Sequence, residues 1–447
     1  MTLPEDQLRK VRGFPGGVNN VAPSHDIPLG EDGLPRAARE IVNFDLIGPS
    51  RKPKLRSGYS PTNITGKTHS PYAHGDHLFM VEDGDLKAYK ATGLPLAPTL
   101  VSTVRADLGL RTVSYADVHG DLYYSNGKVL RVLRNYGVTD EQAWIGCPGA
   151  PFAAPTASPD PGYTLPSGDY AVAITYFDAA GRESAAYGMV PVTLPDGGYG
   201  IHLTGFPPAP EGAVKMRAYL SPPNDAILYS CLDMLPSVTS IVLGSPGTDG
   251  RELETMLLDP MPPCDTLRFW NGRLLGASGN LLRWSEGGGR VGLTDLPANY
   301  MRMGMEITLL EPLGEGSESA GVFVADHKYT YWLAGTKPAE WRRVTRYDYP
   351  AVKGTSIQVK GSDIGLETNE IVAAWMAKNG VLVAGLPGGS VVQLTDPDAL
   401  AMDVGLAGAS LFREHSGLRQ LISSYISTGG NRLAVGDRVS ATVTQHP

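Results

Sequence analysis

Cysteine is scarce: three in 447 residues, Cys147, Cys231 and Cys264, at wide and unmatched spacing. That excludes a disulfide framework and a CxxC metal knuckle and leaves buried, reduced thiols as the expectation. Long apolar runs are missing too, since no stretch approaches the ~18 residues of a membrane span. The opening MTLPEDQLRK puts acids and a proline where a signal peptide carries its apolar segment. The expected product is made in a cytosol and inserts in no bilayer. Positive charge is also short, with 38 Lys+Arg against 46 Asp+Glu for a net −8. Generic attraction to nucleic acid or anionic lipid is therefore disfavoured.

Motifs that carry chemistry are equally sparse. ITGKTHS (64–70) has the Gly-Lys-Thr of a phosphate loop, but the Gly that must stand five residues before the Gly-Lys pair is replaced by Pro61. GASGN (276–280) lacks the spacing of a GxSxG nucleophile elbow, and neither HExxH nor an EF-hand loop occurs. His69, His74 and His77 lie near Asp76 and could in principle hold a metal. They fall on a turn whose equivalent reads His119-Gly120-Asp121, so the repeat explains them as turn residues. Carboxylate pairs for glycoside cleavage meet only in space, and 46 acids leave that chemistry open.

Glycine and proline are abundant. Gly 54 and Pro 36 make up about a fifth of the chain against a usual ~12%, which favours many short strands joined by turns. One pattern recurs five times: YAHGDHLFMVEDGDLKAYK from Tyr72, ADVHGDLYYSNGKVLRVL from Ala116, FWNGRLLGASGNLLRWS from Phe269, GVFVADHKYTYWLAG from Gly321 and MAKNGVLVAGLPGGSVVQL from Met376. Each reads as a strand, a tight turn and a second strand. Four copies place Gly75, Gly120, Gly272 or Gly380 after His or Asn, where a two-residue hairpin loop needs positive φ; the other has Asp326-His327. The spacing of about 45–55 residues is that of a four-stranded propeller blade. The longer gap from Gly120 to Gly272 leaves about 100 residues, the size of a β-sandwich. Tryptophans 270, 284, 332, 341 and 375 fall on or near these hairpins and are expected to pack between blades.

The expected fold is mostly β: a β-propeller with an inserted fibronectin-III-like β-sandwich domain and an extended N-terminal arm. Its parts are an arm (1–60), a first propeller part (61–149), the sandwich (150–262), a second propeller part (263–405) and a C-terminal helix and strand (406–447). In the arm, Ala37, Ala38, Ile41 and Val42 fall at helical spacing before a strand-like end. CPGAPFAAPTASPDPG (147–162) reads as a semi-rigid linker. GASLFREHSGLRQLISSYIS (408–427) reads as helical, broken at Gly417, with an alternating strand over 431–443. The basic run Arg51, Lys52, Lys54 and Arg56 is either a solvated loop or a contact for an acidic partner or a phosphate backbone.

The arm also carries a resemblance. GFPGGVNNVAP (13–23), with Asn19 and Asn20, AREIVNFDL (38–46), with Arg39, Glu40, Asn43 and Asp45, and the basic stretch ending SGY (57–59) resemble the opening of structural proteins of tailed bacteriophages. TYFDAAGRES (175–184) resembles sandwich repeats of phage virion proteins, and WNGRLLGASGNLLRWS (270–285) a blade of the same group. The family closest in outline is the tail hub or nozzle, also called the packaged-DNA stabilisation protein. The resemblance implies a virion tail protein without enzymatic activity or cofactor, in a homo-oligomeric ring with a hexamer favoured. Its partners would be other tail proteins, namely an adaptor or connector and a tail fibre or tip, with DNA as passing cargo only. Two other readings are a tail-tip or receptor-binding propeller of a long-tailed phage and a surface-polysaccharide-degrading enzyme.

Overall fold

The computed structural model describes residues 64, 66–90, 98–140, 155–186, 188–210, 212–246, 250–288, 290–395, 407–414 and 419–423, and the backbone of 17–18, 37–38, 44–47, 52–55, 91–92, 97, 141–142, 289, 405–406, 415, 418, 424–427 and 438–445. The chain divides into two compact units, Thr62–Arg302 on one side and Met303–Pro447 with Met1–Pro61 on the other. Among the described residues the only helical turns are short 3-10 segments, Gly288–Arg290, Pro338–Glu340 and Gly361–Ile364. No helix among them is long and apolar enough to cross a membrane.

Five antiparallel sheets, each of four strands, have the form of propeller blades. Blade 1 comprises Thr68–His74, His77–Glu82, Asp85–Thr92 and Ala97–Arg105; blade 2 Ser114–Val118, Asp121–Ser125, Leu130–Leu133 and Asp140–Gln142; blade 3 Thr266–Trp270, Arg273–Ser278, Leu281–Trp284 and Tyr300–Arg302. These three belong to the first unit. In the second, blade 4 comprises Leu309–Leu313, Gly321–Ala325, Thr330–Ala334 and Arg342–Tyr347, and blade 5 Ile357–Lys360, Ile371–Met376, Leu382–Gly385 and Val391–Gln393. The chain is a mostly β propeller protein.

Alternation along the second strands explains why the blades stack. In blade 2, Leu122 and Tyr124 join Phe79, Val81, Leu86 and Ala88 of blade 1 in one core layer. Tyr123, between them in sequence, turns the other way and meets Leu267 and Leu274 of blade 3. A strand buried on both faces needs apolar residues at both parities, which is why these segments read as continuous runs. In the second unit, Phe323 and Trp332 of blade 4 pack on Ala373, Trp375 and Val383 of blade 5. The opposite face of blade 5, with Val372, Ala374 and Met376, receives Leu421 and Phe412 of a three-stranded C-terminal sheet.

The repeated turns recur, but their phase slips by one strand, and Gly380 stands in a longer connection, 377–381, rather than in a two-residue loop. Gly75, Gly120 and Gly272 join the first strand of a blade to the second, whereas Asp326-His327 and Gly380 join the second to the third. Asp326 is therefore the counterpart of Asn126. Asn126 Oδ1 accepts the amides of Lys128 and Val129 at 3.0 and 3.1 Å, and Asp326 Oδ1 accepts those of Lys328 and Tyr329 at 2.8 and 3.0 Å. Both are Asx turns, which Asn and Asp form alike.

Asn271 and Gly272, at φ 46° and 73°, form the two-residue loop between the paired Trp270 and Arg273, the pattern of a type I′ turn. A Cβ at Gly272 meets nothing within 4 Å, so a substitution there tests backbone strain alone. Gly272→Val is expected to cost roughly 1–3 kcal/mol because a β-branched residue resists positive φ. A urea melt matching the parent would refute this turn's role.

The sandwich pairs a three-stranded sheet (Thr156–Leu165, Tyr199–Thr204, Ser240–Leu243, in that order) with a four-stranded one (Val190–Leu194, Gly168–Phe177, Lys215–Leu220, Tyr229–Met234). Val172, Ile174, Met216 and Leu220 of one meet Ile201, Leu203 and Leu243 of the other. Counting Thr156–Leu165 as strand B, the four-stranded sheet has the C′-C-F-G order of an immunoglobulin-type sandwich. The final strand flanks E, where a constant-type domain has D.

Three sequence expectations are corrected. The proline-rich stretch is not wholly a linker: 156–162 lies in the strand Thr156–Leu165, while 143–154 lies outside the described residues. Pro159 and Pro161 are tolerated because this strand is at the edge of its sheet, where a missing N–H breaks no ladder. The expected C-terminal helix is a hairpin, Gly405–His415 against Leu418–Ser427, with Arg438–Gln445 as third strand. Its spaced leucines fit a helix, but Ile422, Tyr425 and Ile426 favour a strand, and cross-strand pairing overrides the helical pattern. In the arm, Ala37–Ala38 is a strand parallel to Gly17–Val18 rather than helical, and Phe44–Ile47 pairs with Lys52–Leu55.

Candidate functional site

Within the first unit the polar side chains of the three blades converge on the seams between them. Ser70 Oγ accepts the Val113 amide at 2.9 Å, and the Tyr115 hydroxyl donates to the Ser70 carbonyl at 3.1 Å. Buried His74 spans the same seam: Nε2 lies 3.1 Å from the Gly120 carbonyl, Nδ1 3.1 Å from Asp117 Oδ2, and the ring stacks on Tyr136 at 4.7 Å. Tyr72 stacks on Tyr115 at 4.8 Å. Burial first, and Asp117 second, push the Tyr72 hydroxyl up against an opposing pull from Arg268. Between blades 2 and 3, Ser125 Oγ accepts the Cys264 amide at 2.9 Å, and Ser114 Oγ accepts the Leu267 amide at 2.9 Å. Burial pushes the Cys264 thiol up to about 12, so it stays protonated and acts as packing.

A second convergence fixes the sandwich to blade 2. Arg182, on the loop after Gly168–Phe177, donates to Asp121 Oδ2 at 2.8 Å and to Asp178 Oδ2 at 2.6 Å; Arg134 Nη1 donates to the same Asp121 oxygen at 2.9 Å. Burial pushes the Asp121 carboxyl up, but the Asn135 amide and the two guanidiniums outweigh it and hold the group below its ordinary value. The Asp121 carboxylate thus reaches a guanidinium 61 positions further along the chain.

On the sandwich itself Arg217 donates through Nη2 to Asp233 at 2.9 Å, with its Cζ 4.8 Å from the centre of the Phe177 ring. Hydrogen bonds from Arg217 first, opposed by burial and helped by Lys215, lower the Asp233 carboxyl to about 2. Because the folded value lies below the unfolded ~3.9, the pair's stabilisation is present above about pH 4 and lost as pH falls towards about 2. Asp233 is 42% exposed, so solvent screening keeps the effect modest. Melting temperatures taken between pH 6 and 2.5 are expected to fall less steeply for Asp233→Asn than for the parent.

The site residues expected from sequence fall mostly outside this account. Asn19, Asn20, Arg39, Glu40, Asn43, Arg51 and Arg56 lie outside the described residues. Asp45 pairs in register with Lys54, and Ile47 with Lys52, in the arm hairpin. The phosphate-loop reading of 64–70 has a direct counter: the Gly66 amide donates to Glu82 at 3.1 Å and the Lys67 amide to Asp83 at 2.9 Å, so those N–H groups already hold carboxylates. His69, His74 and His77 form no metal cluster, and among the described residues no group of three or more His, Cys, Asp or Glu does. Sequence reasoning missed Arg342, Arg343 and Arg346, exposed on the fourth strand of blade 4. Their signal, RRVTRY, was legible as a basic strand.

The sheets define the class, a propeller with an inserted sandwich. No family model matches the chain, and no curated protein does. Among solved structures it is similar to BBS1N in complex with ARL6DN at 13% identity, covering 88% of this chain and 94% of that one with a TM-score of 0.30. It is similar to KlHsv2 with loop 6CD replaced by a Gly-Ser linker at 8% identity, covering 86% and 99% with a TM-score of 0.29. It is similar to the N-terminal domain of Nup159 at 9% identity, covering 85% and 76% with a TM-score of 0.26.

Proposed function

We propose that this chain is a structural virion protein of a tailed bacteriophage, a tail hub or nozzle component. It assembles as a homo-oligomeric ring with neighbouring tail proteins and channels the genome for ejection. The observation that carries the reading is the order of parts: an arm bearing the Gly-Gly-x-Asn-Asn and Arg-Glu-x-x-Asn-x-Asp motifs, then blades 1 and 2, the sandwich, and blades 3 to 5. The chemistry of the seams supports it, because Asp117, Asp121 and His74 serve to lock blades and sandwich into rigid parts. A net charge of −8 suits a conduit, since phosphates meet like charge and few counterions are released.

Duplex DNA titrated in gel-shift at physiological salt is expected to bind no more tightly than about 10⁻⁴ M, the weak end of non-specific affinity. Micromolar affinity would overturn the passive conduit. The same preparation is expected to release no reducing sugar from host surface polysaccharide; release that disappears on replacing a paired carboxylate would establish the hydrolase instead.

A further inference from the structure

The fourth strands of the blades are open edges, and most are short. In blades 2, 3 and 5 they are three residues long, which offers little to an added strand. Blade 4 differs. Arg342–Tyr347 has six residues, is exposed from Arg342 to Arg346, and pairs on one side only, with Thr330–Ala334. Arg342 shares a face with Val344, itself 41% exposed, and Arg346 stands at a bulge, unpaired between Thr345 and Tyr347. Arg343 lies on the other face, its Cζ 5.0 Å from the centre of the Tyr331 ring. None of the three is ion-paired to another described residue.

Charge on an edge strand ordinarily guards it against chance pairing. Three guanidiniums, however, repel only basic strands, and they attract an acidic one while the free main chain supplies a ladder. The chain itself carries such a segment. Residues 24–34, SHDIPLGEDGL, contain Asp26, Glu31 and Asp32 and no Lys or Arg. Pro28 within it is acceptable in an outermost strand, where one N–H faces solvent.

We propose that the edge Arg342–Tyr347 of one copy takes residues 24–34 of a second copy's arm as an added, charge-matched strand. This rests on the reading of the chain as a self-assembling tail protein and names where its arm docks. Strand addition is favoured over a phosphate backbone because the arginines sit on an open sheet edge in an acidic chain.

The test is mass photometry of the full-length protein as a function of concentration. It compares the parent with Arg342→Glu/Arg343→Glu/Arg346→Glu, with Asp26→Lys/Glu31→Lys/Asp32→Lys, and with the six substitutions combined. Each triple variant is expected to weaken self-association about tenfold or more, and the combination to restore it, as paired charge reversals do at a direct contact. Arg342→Gln/Arg343→Gln/Arg346→Gln is expected to weaken association less than the Glu triple, and it serves if that triple misfolds. Triple variants that associate like the parent, or a folded combination that does not recover, would overturn the proposal. So would loss of DNA binding in the arginine variant with association unchanged, which would mark a nucleic-acid contact. A parent that stays monomeric at every concentration overturns the arm docking alone, whereas absence of the protein from virions overturns the tail reading beneath it.

Discussion

Phe323→Ala is expected to lower the unfolding free energy by about 3–5 kcal/mol, the range for removing a buried aromatic ring. Phe323 is fully buried, its ring 4.7 Å from Trp332 within blade 4 and 5.4 Å from Trp375 in blade 5. Gly385 of blade 5 lies against the same ring, and a Cβ there would collide with it. A glycine that makes room for a neighbouring aromatic leaves little slack to refill the cavity, so the cost belongs at the upper end of the range. Urea unfolding followed by tryptophan fluorescence reads the change through Trp332 and Trp375. A loss under about 1 kcal/mol, typical of surface positions, would mean that blades 4 and 5 do not share this core.

Deleting residues 1–34 is expected to have the largest functional effect. Under the proposed reading this segment, whose apolar content is too low to build a core of its own, docks on a neighbouring subunit or tail partner. The five blades and the sandwich draw their cores from Phe79 onward, so the truncated protein is expected to keep the parent's circular dichroism and melting temperature. Incorporation into phage particles, measured by complementing a null mutant, is expected to fall to background. Normal incorporation would remove the arm from assembly.

Local turn chemistry made much of this fold legible. Asn271-Gly272 states its hairpin outright, and the alternation around Tyr123 follows from a strand covered on both faces. The phase of the repeat was harder, because Asn126 and Asp326 make the same turn as each other while His119-Gly120 makes a different one. A pattern keyed to glycine cannot separate the first turn of a blade from the second. The C-terminal hairpin was misread because Leu418, Leu421, Ile422 and Tyr425 satisfy a helical period as well as a strand, and partner strands decide between them. The Arg182 to Asp121 anchor was invisible, since nothing along the chain marks which of many arginines will meet which carboxylate. The arginine strand Arg342–Tyr347 was visible as charge, but its exposure depends on being the last strand of its blade.

The central claim, that the chain is a built-in part of a phage tail, is tested most directly by gold-labelled antibody against the sandwich on virus particles purified from cultures that express it. Label confined to the tail in every intact particle is the predicted result. Unlabelled particles, with the protein recovered only in the infected-cell lysate, would contradict it.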